Sequence, residues 1–432
     1  MQRRETRLAK RIPAGEGLRE VCTAKMERKA THLEGIRGVA AIVVVFSHIC
    51  CGFFPWRTGL FPNFDAAREW AGNPLFIVIN GSAAVSLFFV LSGYLLTRKY
   101  FLDENGIGLL RGAIKRWPRL AAPVLLAVLF SYAIFRFDGY HYLAAGAQVP
   151  SSWLATFATA FPPGVSRDLS LQSALAQGAV LTFFAGDCWF DTSLWTMQPE
   201  FIGSFLVFAL APLAIKIRNW SKATLWLALA ILVIASHLLW KYLPPFALGL
   251  SLAALLPRHR VPLTGLGGMV ALTGLFLLGY PGKSVGYYST IAIPHGWESY
   301  PSVLGATLLI YALERYKLLA RVCSGKVADA LGKLSFPIYL VHVPVLASAG
   351  AWVYLHHGPM AAAIITLGLS ILVALPVVFF NEWWVDLLDR ITRRLIESVS
   401  SLMNGSATQM PGWVAVRPSE VPSSEVNTSP LP

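Results

Sequence analysis

An imidazole or carboxylate inside an apolar helix is costly in hydrocarbon, so each one is a candidate for chemistry. Three lie in long apolar runs of this sequence: His48, Glu200 and His342. His48 follows Arg37 by eleven residues. At 100° per residue that spacing closes about three turns, so the two side chains share one helix face roughly 16 Å apart along the axis. Such a stripe can meet a ligand with a cation at one end and a proton acceptor in the middle; the plainer reading makes Arg37 a snorkelling surface cation and His48 a hydrogen-bonded interior histidine. Glu200 follows Pro199 and is expected at a depth similar to His48, where a carboxylate could orient the imidazole and balance its charge as it takes a proton. A structural ion pair with a neighbouring basic group is the alternative for Glu200. His342, between Pro337 and Pro344, is either a ligand group or a helix-bridging histidine.

A second group is cationic. Lys115, Arg116 and Arg119 follow Arg98, Lys99 and Arg111. Arginine suits bidentate contact with phosphate, so the cluster could hold the phosphates of a coenzyme; equally it could be topological charge or an anionic-lipid contact. No Walker loop, dinucleotide fingerprint or metal motif occurs, and Cys50 and Cys51 read as small buried hydrophobes rather than a disulfide or metal pair.

The elements that must position these groups are membrane helices. The 432 residues are 55% hydrophobic and 14% charged, with a mean hydropathy of +0.55, which fits lipid better than water as the solvent. The net charge of +13 could suggest nucleic acid, but the basic residues sit in short clusters between apolar runs, as topology signals do. A crossing needs roughly 20 apolar residues. That length gives about ten spans, near 34–54, 80–97, 119–137, 194–214, 223–240, 243–256, 264–280, 300–314, 334–355 and 361–383, with the apolar stretch Leu171 to Phe184 assigned to an outer loop. With the amino terminus inside, thirty of the 36 Lys and Arg residues fall in cytoplasmic segments, as the positive-inside rule requires. The expected fold is an all-α polytopic bundle with both termini cytoplasmic, a basic arm over 1–32, a transmembrane domain over 33–385 and a disordered tail over 400–432. The basic amino-terminal stretch has no apolar core of signal-peptide length, so the first span is expected to serve as an uncleaved anchor.

Five segments in this order resemble the acyltransferase 3 family of membrane O-acyltransferases, from about Leu33 to Asn381. Leu33-Glu34-Gly35-Ile36-Arg37, continuing to His48, is similar to the family's first-helix motif, and Ser86 to Tyr94 to its second-helix signature. Arg116-Trp117-Pro118-Arg119-Leu120 resembles its basic element before the third helix, Leu194 to Glu200 its Trp-Ser-Leu-x-x-Glu element, and Tyr339-Leu340-x-His342-x-Pro344 its late element. Two positions depart: Ser86 stands where many members carry Asp, and Gln198-Pro199 replaces a small-residue pair. These departures bear on substrate class.

The resemblance implies transfer of an acyl group, often acetyl from acetyl-CoA, to a hydroxyl of a sugar, glycolipid or other small acceptor. It assigns His48, Glu200 and Arg37 to catalysis and Arg116, Arg119 and Arg37 to acyl-CoA. His342, Trp195 and Tyr339 are expected to contact the acceptor. His48 would be the general base or a transient acyl carrier. Acyl-CoA is a co-substrate rather than a resident cofactor, and the implied partners are membrane lipids and a hydroxyl-bearing acceptor, without nucleic acid. A transporter using His48, Glu200 and His342 as a proton or substrate path is the main rival, and a catalytically dead relative acting as a scaffold is a third reading.

Overall fold

The computed structural model describes residues 31–61, 69–256 and 259–407, so most of the expected arm and tail lies outside the described residues. Helices of twelve residues or more are numbered α1 (Thr31–Phe53), α2 (Gly81–Asp103), α3 (Gly106–Arg136), α4 (Met197–Trp220), α5 (Lys222–Leu239), α6 (Pro244–Leu255), α7 (Gly265–Leu278), α8 (Tyr300–Arg315), α9 (Lys326–Val345) and α10 (Ala351–Ala407). Among the described residues the only bridge of strand type is isolated, between Val261 and Tyr316. The fold is all-α.

Among the described residues six helical segments are long and apolar enough to cross a membrane: Thr31–Phe53, Gly81–Asp103, Gly106–Arg136, Thr192–Trp220, Lys222–Leu239 and Lys326–Ser398. The last of these folds back on itself. Gly358, at φ 79°, breaks α10 just before Pro359, and Lys333 near the start of α9 bonds Glu382 at 2.8 Å. Those residues would lie roughly 70 Å apart on a straight helix. Pro244–Leu255 and Gly265–Leu278 are shorter apolar helices.

Leu171 to Phe184 is not an outer loop. It is helical, with a π-turn over Gln177–Leu181, and it packs on the middle of α3, where Gly178 meets Leu125 and Val128. The Trp117 indole also donates to Ala179 O at 3.1 Å.

The close pairing that builds the site is between α1 and α9. A side chain on Gly35 or Gly38 would overlap Ala328 or Leu331, and one on Gly332 would overlap Glu34, so the three glycines let two backbones approach. Contacts advance together along both helices, from Gly38 against Leu331 to His48 against His342, so α1 and α9 run parallel. At the amino-terminal end of both, Glu314 of α8 binds His32 at 2.8 Å, Arg260 at 3.2 Å and Arg98 at 3.5 Å. This ionic end ties α1, α2, α8 and the chain before α7 together. Asn80 belongs to the opposite end: it caps α2 through Ala83 N, while its amide donates to Leu278 O and Tyr280 O. Its burial removes the Asn80-Gly81-Ser82 sequon from any role as a glycan site.

Candidate active site

His48 projects from α1 toward α9, and its Nδ1 lies 2.7 Å from Nε2 of His342. The two rings are within 4° of one plane, which aligns the ring nitrogens for a linear hydrogen bond. His342 is fully buried, and its Nδ1 sits 2.8 Å from Tyr339 O and 3.2 Å from Ile338 O. A carbonyl oxygen only accepts, so His342 Nδ1 carries the proton and neutral His342 offers a lone pair at Nε2. His48 Nδ1 must then donate to it. The consequence is a His48 ring whose Nε2 is an unprotonated acceptor.

Trp153, from the segment between α3 and α4, stacks on His48 at 5.2 Å and 25°. His48 is only half-buried and lines a cavity with Trp153, Arg167, Asp187, Trp189 and Trp195. Cys188 also lines this histidine cavity, but burial pushes its thiol up to about 11, leaving it protonated near neutrality and a poor nucleophile. Tyr339 stands behind the imidazoles rather than in this cavity. Its hydroxyl donates to Ser193 O at 2.8 Å and shares a 2.8 Å hydrogen bond with Thr196 Oγ1.

Glu200 does not support His48. Its Oε1 accepts from Ser92 Oγ at 2.5 Å and from the Arg116 guanidinium, whose Nε donates to Ser204 Oγ at 2.7 Å. The expected carboxylate–imidazole pair is therefore replaced by an imidazole–imidazole pair and a separate buried ion pair. The physical reason is competition: two groups of opposite charge, both nearly removed from water, satisfy each other before either meets a neutral ring.

That ion pair belongs to an arginine cavity on the ionic side of His48, lined by Arg37, Arg116, Arg119, Ser92, Glu200 and Tyr339 among others. Arg37 binds Glu34 at 2.8 Å and Ser335 Oγ at 3.1 Å. Its contacts with α9 confirm that Arg37 and His48 share one face of α1. Arg119 extends into the cavity with an accessible side chain and, among the described residues, makes no hydrogen bond or ion pair. The cavity therefore presents three guanidiniums and one carboxylate, which suits a polyanionic ligand.

The sequence-predicted residues thus divide between two neighbouring spaces. His48 and Trp195 line the histidine cavity; Arg37, Arg116, Arg119, Glu200 and Tyr339 line the arginine cavity; His342 is buried beside His48. Sequence reasoning missed Trp153, Arg167, Ser92 and Ser204. Ser92 lay inside the second-helix motif, and Ser204 one helical turn after Glu200 on the same face, so both carried a signal. Trp153 carried none, because it lies outside every apolar run.

An all-helical bundle with six candidate membrane-spanning helices among the described residues thus sets the half-exposed His48, its buried partner His342 and an arginine-lined cavity side by side. The chain belongs to the family described as Acyltransferase domain, which it matches over residues 31–380. An O-acetyltransferase, PaAT-1 of Phomopsis amygdali, is 24% identical to it in an alignment covering 75% of this chain and 74% of that protein. An acyltransferase, clz18 of Cochliobolus lunatus, is 35% identical over 112 residues, covering 25% of this chain and 22% of that protein. No solved structure matches the chain.

Proposed function

We propose that this membrane acyltransferase is an acyl-CoA-dependent O-acyltransferase, with acetyl-CoA the expected donor, and that it crosses the bilayer ten times with both termini cytoplasmic. The basic bias of the segments at the ionic end supports a cytoplasmic position for that end. Acyl-CoA then enters from the cytoplasm, its phosphates against Arg119, Arg116 and Arg37, and its thioester reaches past Tyr339 toward His48. The acceptor hydroxyl approaches from the histidine cavity.

The observation that carries this reading is the hydrogen bond from His48 Nδ1 to His342 Nε2. It leaves His48 Nε2 free to take the acceptor's proton as the hydroxyl oxygen attacks the thioester carbon. The carbon–sulfur bond breaks, and the proton passes from His48 to the departing thiolate, giving the ester and free coenzyme A thiol. While His48 carries the extra proton, His342 still accepts its Nδ1–H and holds the ring in place. Glu200 serves the donor side: it fixes Arg116 and tempers the repulsion among the arginines.

The test is release of coenzyme A thiol from acetyl-CoA by the purified protein in lipid. His48→Gln is expected to lower the rate by about 10²–10⁴-fold while acetyl-CoA still binds. Undiminished release by the variant sinks the assignment, and a labelled acetyl group trapped on His48 replaces the general base with a covalent carrier.

A further inference from the structure

A third cavity lies across Trp195 from the histidine cavity, between the start of α2, the approach to α6 and the start of α8. Its volume is about 580 Å³, against about 380 Å³ for the space that His48 lines. Trp195 walls both of these spaces, and Val85 and Phe89 wall both the third cavity and the arginine cavity. It therefore adjoins both halves of the active site.

Its lining is mixed. Phe89, Tyr242 and Val303 supply aromatic and aliphatic surface, and Ser82, Ser86 and Ser302 supply hydroxyls. The charges near it are already engaged: Lys241 lies over the Tyr242 ring at 5.1 Å, and His295 pairs with Glu298 at 3.0 Å. Sites of roughly 300–1,000 Å³ with apolar walls and a few placed polar groups hold compact organic molecules. A bare hexose carries hydroxyls all round its ring, and burying these against Phe89 and Val303 leaves some without partners, at a cost.

We propose that this cavity holds the body of the acyl acceptor, a neutral, largely apolar molecule of several rings bearing a few hydroxyls. Its reacting hydroxyl passes the edge of Trp195 to meet His48 Nε2. The proposal rests on the acyl-transfer reading above and names the substrate class for it.

The test supplies the purified protein in lipid with acetyl-CoA and one of two acceptors, a steroid diol or methyl glucoside, and measures ester formation and thiol release. Wild type is expected to acetylate the steroid diol in preference to the glucoside. Ser82, accessible on the first turn of α2, is changed to Trp and, as a milder variant, to Phe. Filling the cavity in this way is expected to raise KM for the diol by about 10-fold or more, while the affinity for acetyl-CoA, read by titration, shows that the variants are folded. Preference for the glucoside, or variants that use the diol as well as wild type does, overturns the proposal. If wild type shows no His48-dependent release at all, the acyl-transfer reading itself has failed, and this one with it.

Discussion

The arginine and histidine cavities are neighbours in one bundle, yet they hold their polar groups in opposite ways. In the first, Arg116 is tied to Glu200 and Ser204, Arg37 to Glu34 and Ser335, and Arg119 has no hydrogen-bond or ion-pair partner among the described residues. In the second, two imidazoles hold each other without a counter-ion. A binding region can keep permanent charge in low dielectric because fixed carboxylates and the incoming anion share the compensation. A proton-transferring region must change charge during the reaction, so it begins neutral and keeps one lone pair exposed.

The sharpest way to break this contrast is at His342. His342→Ala leaves His48 Nδ1–H without its acceptor and frees the ring to turn. A fall in kcat of about 10²-fold is expected, with KM for acetyl-CoA little changed. His342→Gln supplies a side-chain oxygen that can accept the same hydrogen bond, so it should recover part of the loss. Equal loss in both variants, with a matching rise in KM, would make His342 a packing residue instead of a positioning one.

A smaller effect separates the arginines from one another. Arg119→Ala removes a cation that no described protein group uses, so KM for acetyl-CoA should rise by about 10-fold, the worth of one charge-assisted hydrogen bond, with thermal stability unchanged. Arg116→Ala strands Glu200 in a nearly dry site and should cost about 3–5 kcal/mol of stability. Thermal unfolding beside acetyl-CoA titration distinguishes the two. Equal loss of stability in both would mean that Arg119 is structural.

The same contrast explains what could be read from the sequence. Arg37 and His48 were legible as one stripe because helical periodicity fixes which residues share a face. The bundle was legible because apolar runs and basic clusters alternate. The partner of His48 was not, since Glu200 and His342 lie on different helices and periodicity says nothing about which of them faces α1. Glu200 was the better guess by charge and the wrong one by packing, because Arg116 lies close enough to claim it. The fold of Leu171 to Phe184 onto α3 escaped for a related reason: which helix an apolar stretch packs on is set by tertiary contacts that flanking charge does not report. Trp153 shows the limit most plainly, since only tertiary structure brings it to His48.

The mildest prediction concerns Asp191, at the boundary of the histidine side and just before the span that begins at Thr192. It is fully buried; Oδ1 accepts from Ser193 N at 3.0 Å and Ser193 Oγ at 2.8 Å, and Oδ2 has no partner among the described residues. Burial, opposed by the Ser193 hydrogen bonds, raises its carboxyl to about 7. Because the folded value lies above the unfolded one of about 3.9, folding favours the protonated acid, and the stability this contributes is fully present below pH 4 and lost as pH rises through about 7. The thermal midpoint of wild type should therefore fall by a few degrees between about pH 4 and pH 7, and level off above that, relative to Asp191→Asn, which keeps an oxygen for Ser193 and cannot ionise. Parallel pH profiles for the two proteins would show that Asp191 is already charged in the folded protein, against the neutral carboxyl that its burial and the unpartnered Oδ2 imply.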